Sequence, residues 1–258
     1  MSQSTPTDLS SKTILITGAS SGLGMQCALS LAKSGARLAL GARRLDRLEE
    51  VVALIEAKGG RAAAAAMDVA NEASVAAAYD AFETALGPVH GVIANAGINV
   101  SGLADALPLD DFDQLMAVNV RGAFITAREG ARRMVAAGSR QGGWGRVVLT
   151  ASIGAHTILP GLAAYCASKA AVLMLGKCLA REWINRGINV NVVCPGYIRT
   201  ELNDEWFSTP AGEDQIARFP RKRLMKENEL NDIIAFLVSD RSQAVTGSTF
   251  TIDDGQSL

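Results

Sequence analysis

The chain has 258 residues, 48% of them hydrophobic, and a formal net charge of −1. This length suits one α/β domain, and the apolar share supplies a core. The near-neutral balance excludes the basic footprint of a nucleic-acid binder. No apolar run reaches the roughly 18 residues of a bilayer span, so no membrane partner is expected.

The first residues, MSQSTPTDLS, are polar and hold no apolar signal segment. Residues 1–11 read as a flexible lead into a single domain over 12–258, and a cytoplasmic location is expected. Cys27, Cys166, Cys178 and Cys194 are scattered and show no C-x-x-C spacing, and the only histidines are His90 and His156. Neither disulfides nor a metal site is expected.

In chain order, residues 13–17 (TILIT) form the first strand candidate and 24–33 a helix ending at Ser34-Gly35. A strand follows over 37–41, a helix over 45–57 that stops at Gly59-Gly60, and an alanine-rich strand over 61–67. For Asp68, a cap on a helix near Asn71 is the alternative to a binding role. After the turn at Gly87-Pro88, residues 91–94 read as a buried strand. Residues 111–137 read as one long helix, 139–145 as a glycine-rich loop and 146–152 as a strand closed by Ser152. A second long helix covers 163–186, a strand runs over 188–193 before Pro195-Gly196, and a last strand covers 249–252. Val-, Ile- and Leu-rich strands alternating with helices predict a doubly wound Rossmann fold with a mostly parallel, seven-stranded sheet. Residues 197–226, with Trp206, Phe207, Pro210, Gly212 and Pro220, interrupt this pattern and read as a substrate lid.

Three features carry chemistry. The first is the turn Thr17-Gly18-Ala19-Ser20-Ser21-Gly22-Leu23-Gly24 between the first strand and first helix. Glycines let a phosphate approach the main chain, and the helix start offers free N–H groups to an anion. The spacing, G-x-x-x-G-x-G, differs from the usual dinucleotide fingerprint. The second is the end of the second strand, which reads Ala42-Arg43-Arg44 with no acid. An acid there would bond the ribose 2′-hydroxyl of NAD(H), while an arginine accommodates the 2′-phosphate of NADP(H). NADP(H) is therefore favoured, with NAD(H) possible, and Arg43 is the first choice of contact. The alternative is that both arginines face solvent or pair with Asp46 and Glu49. The third is Tyr165 and Lys169, four apart on one helix face. An ammonium beside a phenol lowers its pKa and makes it a usable acid/base at neutral pH.

Taken together, these residues resemble the classical short-chain dehydrogenase/reductase family over about residues 12–255. The motifs occur in order: the Thr17-to-Gly24 turn, Asp68-Val69, Asn95-Ala96-Gly97, Asn119, Ser152, Tyr165 with Lys169, and Pro195-Gly196 followed by Thr200. The resemblance implies that Tyr165 exchanges the proton of the carbonyl or alcohol, that Lys169 lowers its pKa and bonds the nicotinamide ribose, and that Ser152 holds the substrate oxygen. Asn119 would anchor a water that relays protons to Lys169. Asp68 and Val69 would contact the adenine, Asn95 to Gly97 the ribose side, and Ile198 and Thr200 the carboxamide.

The expected reaction is hydride transfer between NADP(H) and a carbonyl or secondary alcohol. The alternatives are a 3-oxoacyl-(acyl-carrier-protein) reductase and a non-catalytic dinucleotide-binding scaffold. Ser152, Ile153, His156, Leu159, Tyr197, Trp206 and Phe207 are the expected substrate pocket, apolar apart from Ser152 and the His156 handle. The partner is a small molecule, and the resemblance implies a homotetramer (or homodimer) packed through its alanine-rich long helices. Near the end, Asp253-Asp254-Gly255 stands where the family often shows a double glycine, and aspartate tolerates the left-handed angles.

Overall fold

The central apolar runs of the sequence become strands buried on both faces. The structure, a computed structural model, describes residues 7–199 and 203–258. The strands are β1 (Thr13–Thr17), β2 (Arg37–Ala42), β3 (Arg61–Ala66), β4 (Gly91–Ala94), β5 (Gly145–Thr150), β6 (Ile188–Pro195) and β7 (Thr249–Ile252). They form one sheet in the order β3-β2-β1-β4-β5-β6-β7, with every neighbouring pair parallel. The helices are α1 (Gly22–Lys33), α2 (Leu45–Glu56), α3 (Glu72–Leu86), α4 (Leu109–Met116), α5 (Ala123–Ala136), α6 (Ser139–Gly142), α7 (Ala163–Trp183), α8 (Asp204–Phe207), α9 (Pro210–Arg218) and α10 (Asn231–Val238).

Alternate residues of each strand point to opposite faces, so two apolar layers form. Leu15, Val92, Val147, Leu149, Val190 and Val192 join the layer that holds Phe82 of α3, Ile125 of α5 and Val172 of α7. Ile14, Ile16, Leu38, Leu40, Val148 and Val193 join the layer that holds Leu31 of α1, Val51 of α2 and Leu237 of α10. The strand order reverses between β1 and β4, which places a crevice at their C-terminal ends.

The structure departs from the sequence expectation at several points. The lead packs before residue 11: Leu9 is fully buried, with its N–H donating to the Ser34 carbonyl at 2.8 Å. The long helix of 111–137 starts at Leu109 and is split by a widened π turn over Ala117–Gly122. The stretch 139–145 is not all loop: Ser139–Gly142 makes a helical turn between Gly138 and Gly143, both left-handed. β5 ends at Thr150, so Ser152 lies beyond the strand, at the start of a 3₁₀ turn over Ile153–Ala155. β6 runs to Pro195, two residues further than expected. The helix over Ala163–Arg186 is long and apolar enough to meet the length and composition of a bilayer span. It nevertheless packs along β6 and carries the buried Lys169.

At the opposite end of the sheet, Arg146, the second residue of β5, has its guanidinium almost fully buried. Nε donates to the Ser239 carbonyl (3.0 Å) and Ser242 Oγ (3.2 Å), and Nη1 to the Gly143 and Gly145 carbonyls (2.9 Å each). Burial pushes its pKa down, while Asp240 pulls it back up. A buried charge needs such partners, since an unpaired one costs several kcal/mol.

Candidate active site

The glycine-rich turn folds as the sequence requires. Gly18 and Gly22 adopt positive φ (67° and 51°). A Cβ at Gly24 would collide with the Gly18 carbonyl, whose carbon would lie 2.8 Å away. Ser21 is the N-cap of α1 but makes no side-chain cap bond, and no acid occupies the first turn. The N–H groups at this helix start are therefore left for an anion. Asn95 ties the turn to β4: its Nδ2 donates to the Thr17 carbonyl (3.1 Å), and the N–H groups of Asn95 and Ala96 donate to Thr17 Oγ1 (3.1 Å each). This cradle fits the phosphates of a dinucleotide.

At the end of β2, Arg43 is exposed. Its neighbour Arg44 reaches the turn, with Nη2 donating to Ser20 Oγ (3.2 Å) and Ser21 Oγ (3.0 Å). Position along the chain favours Arg43, whereas the Arg44 contact spans 23 residues and leaves no local signal. Asp68 is exposed, its Oδ1 accepting from Ala70 N–H at 3.0 Å, and the helix cap belongs to Asn71 instead. Val69 is buried and packs against Gly122 of the π turn.

The four residues expected to be catalytic gather beyond the C-terminal ends of β4 and β5. Asn119 sits in the π turn, 1% exposed. Its Oδ1 accepts from Ile98 N–H (2.8 Å), and its Nδ2 donates to the Ile98 carbonyl (2.9 Å) and Ser168 Oγ (3.1 Å). Ser168 stands between Tyr165 and Lys169 on α7. A Cβ at Gly97 would lie 3.3 Å from Asn119 Oδ1 and 3.4 Å from Lys169 Nζ, so both groups flank this residue. Lys169 Nζ donates to the Thr150 carbonyl (2.9 Å) and lies 5.6 Å from the Tyr165 ring centroid. Ser152 is buried, and its Oγ accepts from Gly154 N–H (3.1 Å).

The electrostatics differ from the simple expectation. Burial raises the Tyr165 phenol above its ordinary value, while the Ser152 hydroxyl pulls it down. The net shift is upward, opposite to the lowering expected from Lys169, and the group that pulls it down is Ser152. Burial also lowers the Lys169 ammonium to about 8, with Cys194 opposing.

The expected substrate pocket divides. Ile153 and Leu159 are buried beside Ser152, with the Cys166 thiol next to them. His156 is exposed. Tyr197 is half-buried, stacked on Phe219 (5.4 Å) and edge-on to Phe207 (5.5 Å). Phe207 is buried beneath it, whereas Trp206 is half-exposed with its indole N–H donating to Gln215 Oε1 (3.3 Å). Pro195 and Gly196 end β6, and the Ile198 side chain is buried in the α1 layer, bridged to Met225. Thr200 lies outside the described residues. Phe219 and Gln215 were not anticipated, because nothing in the local sequence aims them at Tyr197.

Comparison with known proteins shows the family of this fold. The short chain dehydrogenase family profile matches residues 12–211. A D-threitol dehydrogenase of Mycolicibacterium smegmatis is 34% identical over 250 residues, covering 97% of this chain and 94% of that one. A gluconate 5-dehydrogenase of Gluconobacter oxydans is 33% identical, covering 96% and 95%. The crystal structure of a gluconate 5-dehydrogenase from Burkholderia cenocepacia, in complex with NADP and tartrate, superposes with a TM-score of 0.91 at 34% identity over 97% of both chains. This chain belongs to the short-chain dehydrogenase/reductase family. It is an oxidoreductase acting on CH–OH or C=O groups with a nicotinamide dinucleotide.

Proposed function

We propose that the chain is an NADP(H)-dependent carbonyl reductase, or secondary-alcohol dehydrogenase in reverse, with Asn119, Ser152, Tyr165 and Lys169 as its catalytic set. The observation that carries this reading is the gathering of these four side chains at the sheet's C-terminal edge, next to the glycine cradle. When bound, the nicotinamide supplies or accepts the hydride. The Ser152 hydroxyl holds the substrate oxygen, and the Tyr165 phenol gives that oxygen its proton in reduction or takes it in oxidation. Burial keeps the phenol protonated at neutral pH, which suits the reductive direction. Lys169 holds the cofactor ribose and moves charge toward the phenol, and Asn119 fixes the backbone at Ile98 beside it.

Two arginines and no acid at the end of β2 support NADP(H) over NAD(H). Arg43, exposed, is free to reach a 2′-phosphate, and Arg44 already stands against the turn's two serines. Two structures of gluconate 5-dehydrogenases with NADP bound, at 34% and 30% identity, point the same way. The pocket of Ile153, Leu159 and Tyr197 is mainly apolar, so apolar ketones head the substrate panel, followed by gluconate, threitol and a carrier-linked 3-oxoacyl chain. The segment 197–226 acts as the lid. A homotetramer in the cytoplasm is the proposed state. Exposed Phe124, Met174 and Ile184 on the long helices support the assembly.

The test is a pair of fluorescence titrations with NADPH and NADH. NADPH binding at least about tenfold tighter, the weight of one charge-assisted hydrogen bond, supports the reading. Equal affinity refutes the role of the arginines, and binding of neither refutes the enzyme.

A further inference from the structure

The segment that follows β7 returns to the site. Asp254 and Gly255, at φ 56° and 81°, reverse its direction. This brings the Gln256 carboxamide against the backbone of Tyr197. Tyr197 N–H donates to Gln256 Oε1 at 2.6 Å, while Gln256 Nε2 donates to the carbonyls of Tyr197 (3.3 Å) and Arg223 (3.4 Å). The side chain thus satisfies the N–H of Tyr197 and shares its carbonyl with the Met225 N–H (3.0 Å), as a neighbouring strand would. The approach needs the bare Gly196, where a Cβ would lie 2.7 Å from Asp253 Cα and would collide with Gln256 Oε1.

Other contacts hold this segment in place. The Asp253 carboxylate accepts from Gly255 N–H (3.0 Å), Ser257 N–H (2.9 Å) and the Ser257 hydroxyl. Asp254 pairs with Arg221 (3.1 Å) and Arg223 (2.8 Å). Tyr197 opens the segment 197–226, and Arg221 and Arg223 lie near its other end. Gln256 and Asp254 therefore join the two ends of that segment. The Tyr197 ring, held between Phe207 and Phe219, lies near enough to Tyr165 to add to the upward shift of its phenol.

We propose that Gln256 is a positioning residue. By clamping the main chain of Tyr197, it fixes the aromatic wall against which the substrate is held opposite Tyr165. The clamp itself is independent of the reaction, whereas its effect on substrate rests on the reading that Tyr197 lines the pocket. Gln256 touches neither the four catalytic side chains nor the glycine turn. Its loss should therefore act on substrate more than on cofactor, whose expected carboxamide contact, Ile198, is the residue after Tyr197.

The experiment compares full-length wild type, Gln256→Ala and Gln256→Glu, each saturated with NADPH. Hydrogen exchange at the Tyr197 amide should be at least about tenfold faster in Gln256→Ala, as expected for loss of its acceptor. Gln256→Glu keeps an acceptor oxygen and should restore much of the protection. For a ketone that the wild type reduces, Gln256→Ala should raise KM roughly tenfold, with kcat and NADPH affinity within about twofold. Unchanged exchange at Tyr197 overturns the clamp. Faster exchange with unchanged KM, or a KM rise matched by equal loss of NADPH affinity, overturns the positioning role. If the wild type reduces no carbonyl, the proposed function fails and the substrate role falls with it, while the exchange arm still decides the clamp.

Discussion

Lys169 should give the cofactor-free protein a stability that rises with pH through the mildly alkaline range. Its ammonium is buried, and desolvation lowers its pKa from 10.5 to about 8. Below pH 8 both folded and unfolded chains carry the proton, and the folded state bears the whole cost of a buried charge. Between about 8 and 10.5 the unfolded chain still holds the proton that the folded chain has lost, so stability rises with pH. For these two values the gain between about pH 7 and 9 is about 1 kcal/mol. Cys27 works in the opposite direction above its ordinary value of 9.0, because burial raises its thiol to about 12. The measurement is therefore a difference between two proteins, in which the Cys27 contribution cancels, made no higher than about pH 9. Urea unfolding of wild type and Lys169→Met would be compared at both pH values. Lys169→Met removes the charge at similar volume, so whatever stability gap separates the two proteins at neutral pH should shift in favour of the wild type by that amount. A gap that stays constant, or shifts toward the variant, would show that the lysine is not desolvated as described.

Three further outcomes follow from the site. Tyr165→Phe should keep NADPH affinity but lose at least about a hundredfold in kcat, the usual weight of a positioned acid; retention of more than about a tenth of the activity would remove Tyr165 from its role. Gly24→Ala should lower stability by about 1–3 kcal/mol, because its Cβ meets unyielding backbone at Gly18. It should also weaken NADPH binding, read by thermal unfolding and titration on the same sample. Asn119→Ala should destabilise by about 3 kcal/mol, since it strands the N–H and carbonyl of Ile98 and one partner of Ser168; a loss of activity at unchanged melting temperature would instead place Asn119 in the chemistry alone.

Much of this architecture was legible from the chain. β1 and β4 fall where the apolar runs put them, because a strand buried on both faces needs a continuous apolar run and little else. Helices were harder. α3 was anticipated only as a helix near Asn71, since its buried face of Val75, Ala78, Tyr79, Phe82 and Leu86 is diluted by other alanines. α10 was not anticipated at all, because Ile233, Ile234, Phe236, Leu237 and Val238 form an apolar run too short to show a period. The π turn at Asn119 has no local mark, being set by bonds to Ile98 and Ser168. Motif residues were readable one by one, whereas Arg44, Gln215 and Gln256 acquire partners only in three dimensions. The direction of the Tyr165 shift escapes the sequence for a related reason: spacing gives the ammonium's position along the helix but not the depth of burial.

Arg146 carries a consequence for the order in which the molecule can be completed. Two of its acceptors, Ser239 and Ser242, lie 93 and 96 residues further along the chain. A chain emerging from the ribosome through β6 has made the central sheet but still holds a guanidinium lacking those two partners. Until 239–242 dock, hydrating that charge requires the base of β5 to stay open to water. The early strands can thus associate before the chain is finished, but this end of the sheet closes only when residues 239–242 arrive, so shortening the chain before 239 should cost more than the area it removes.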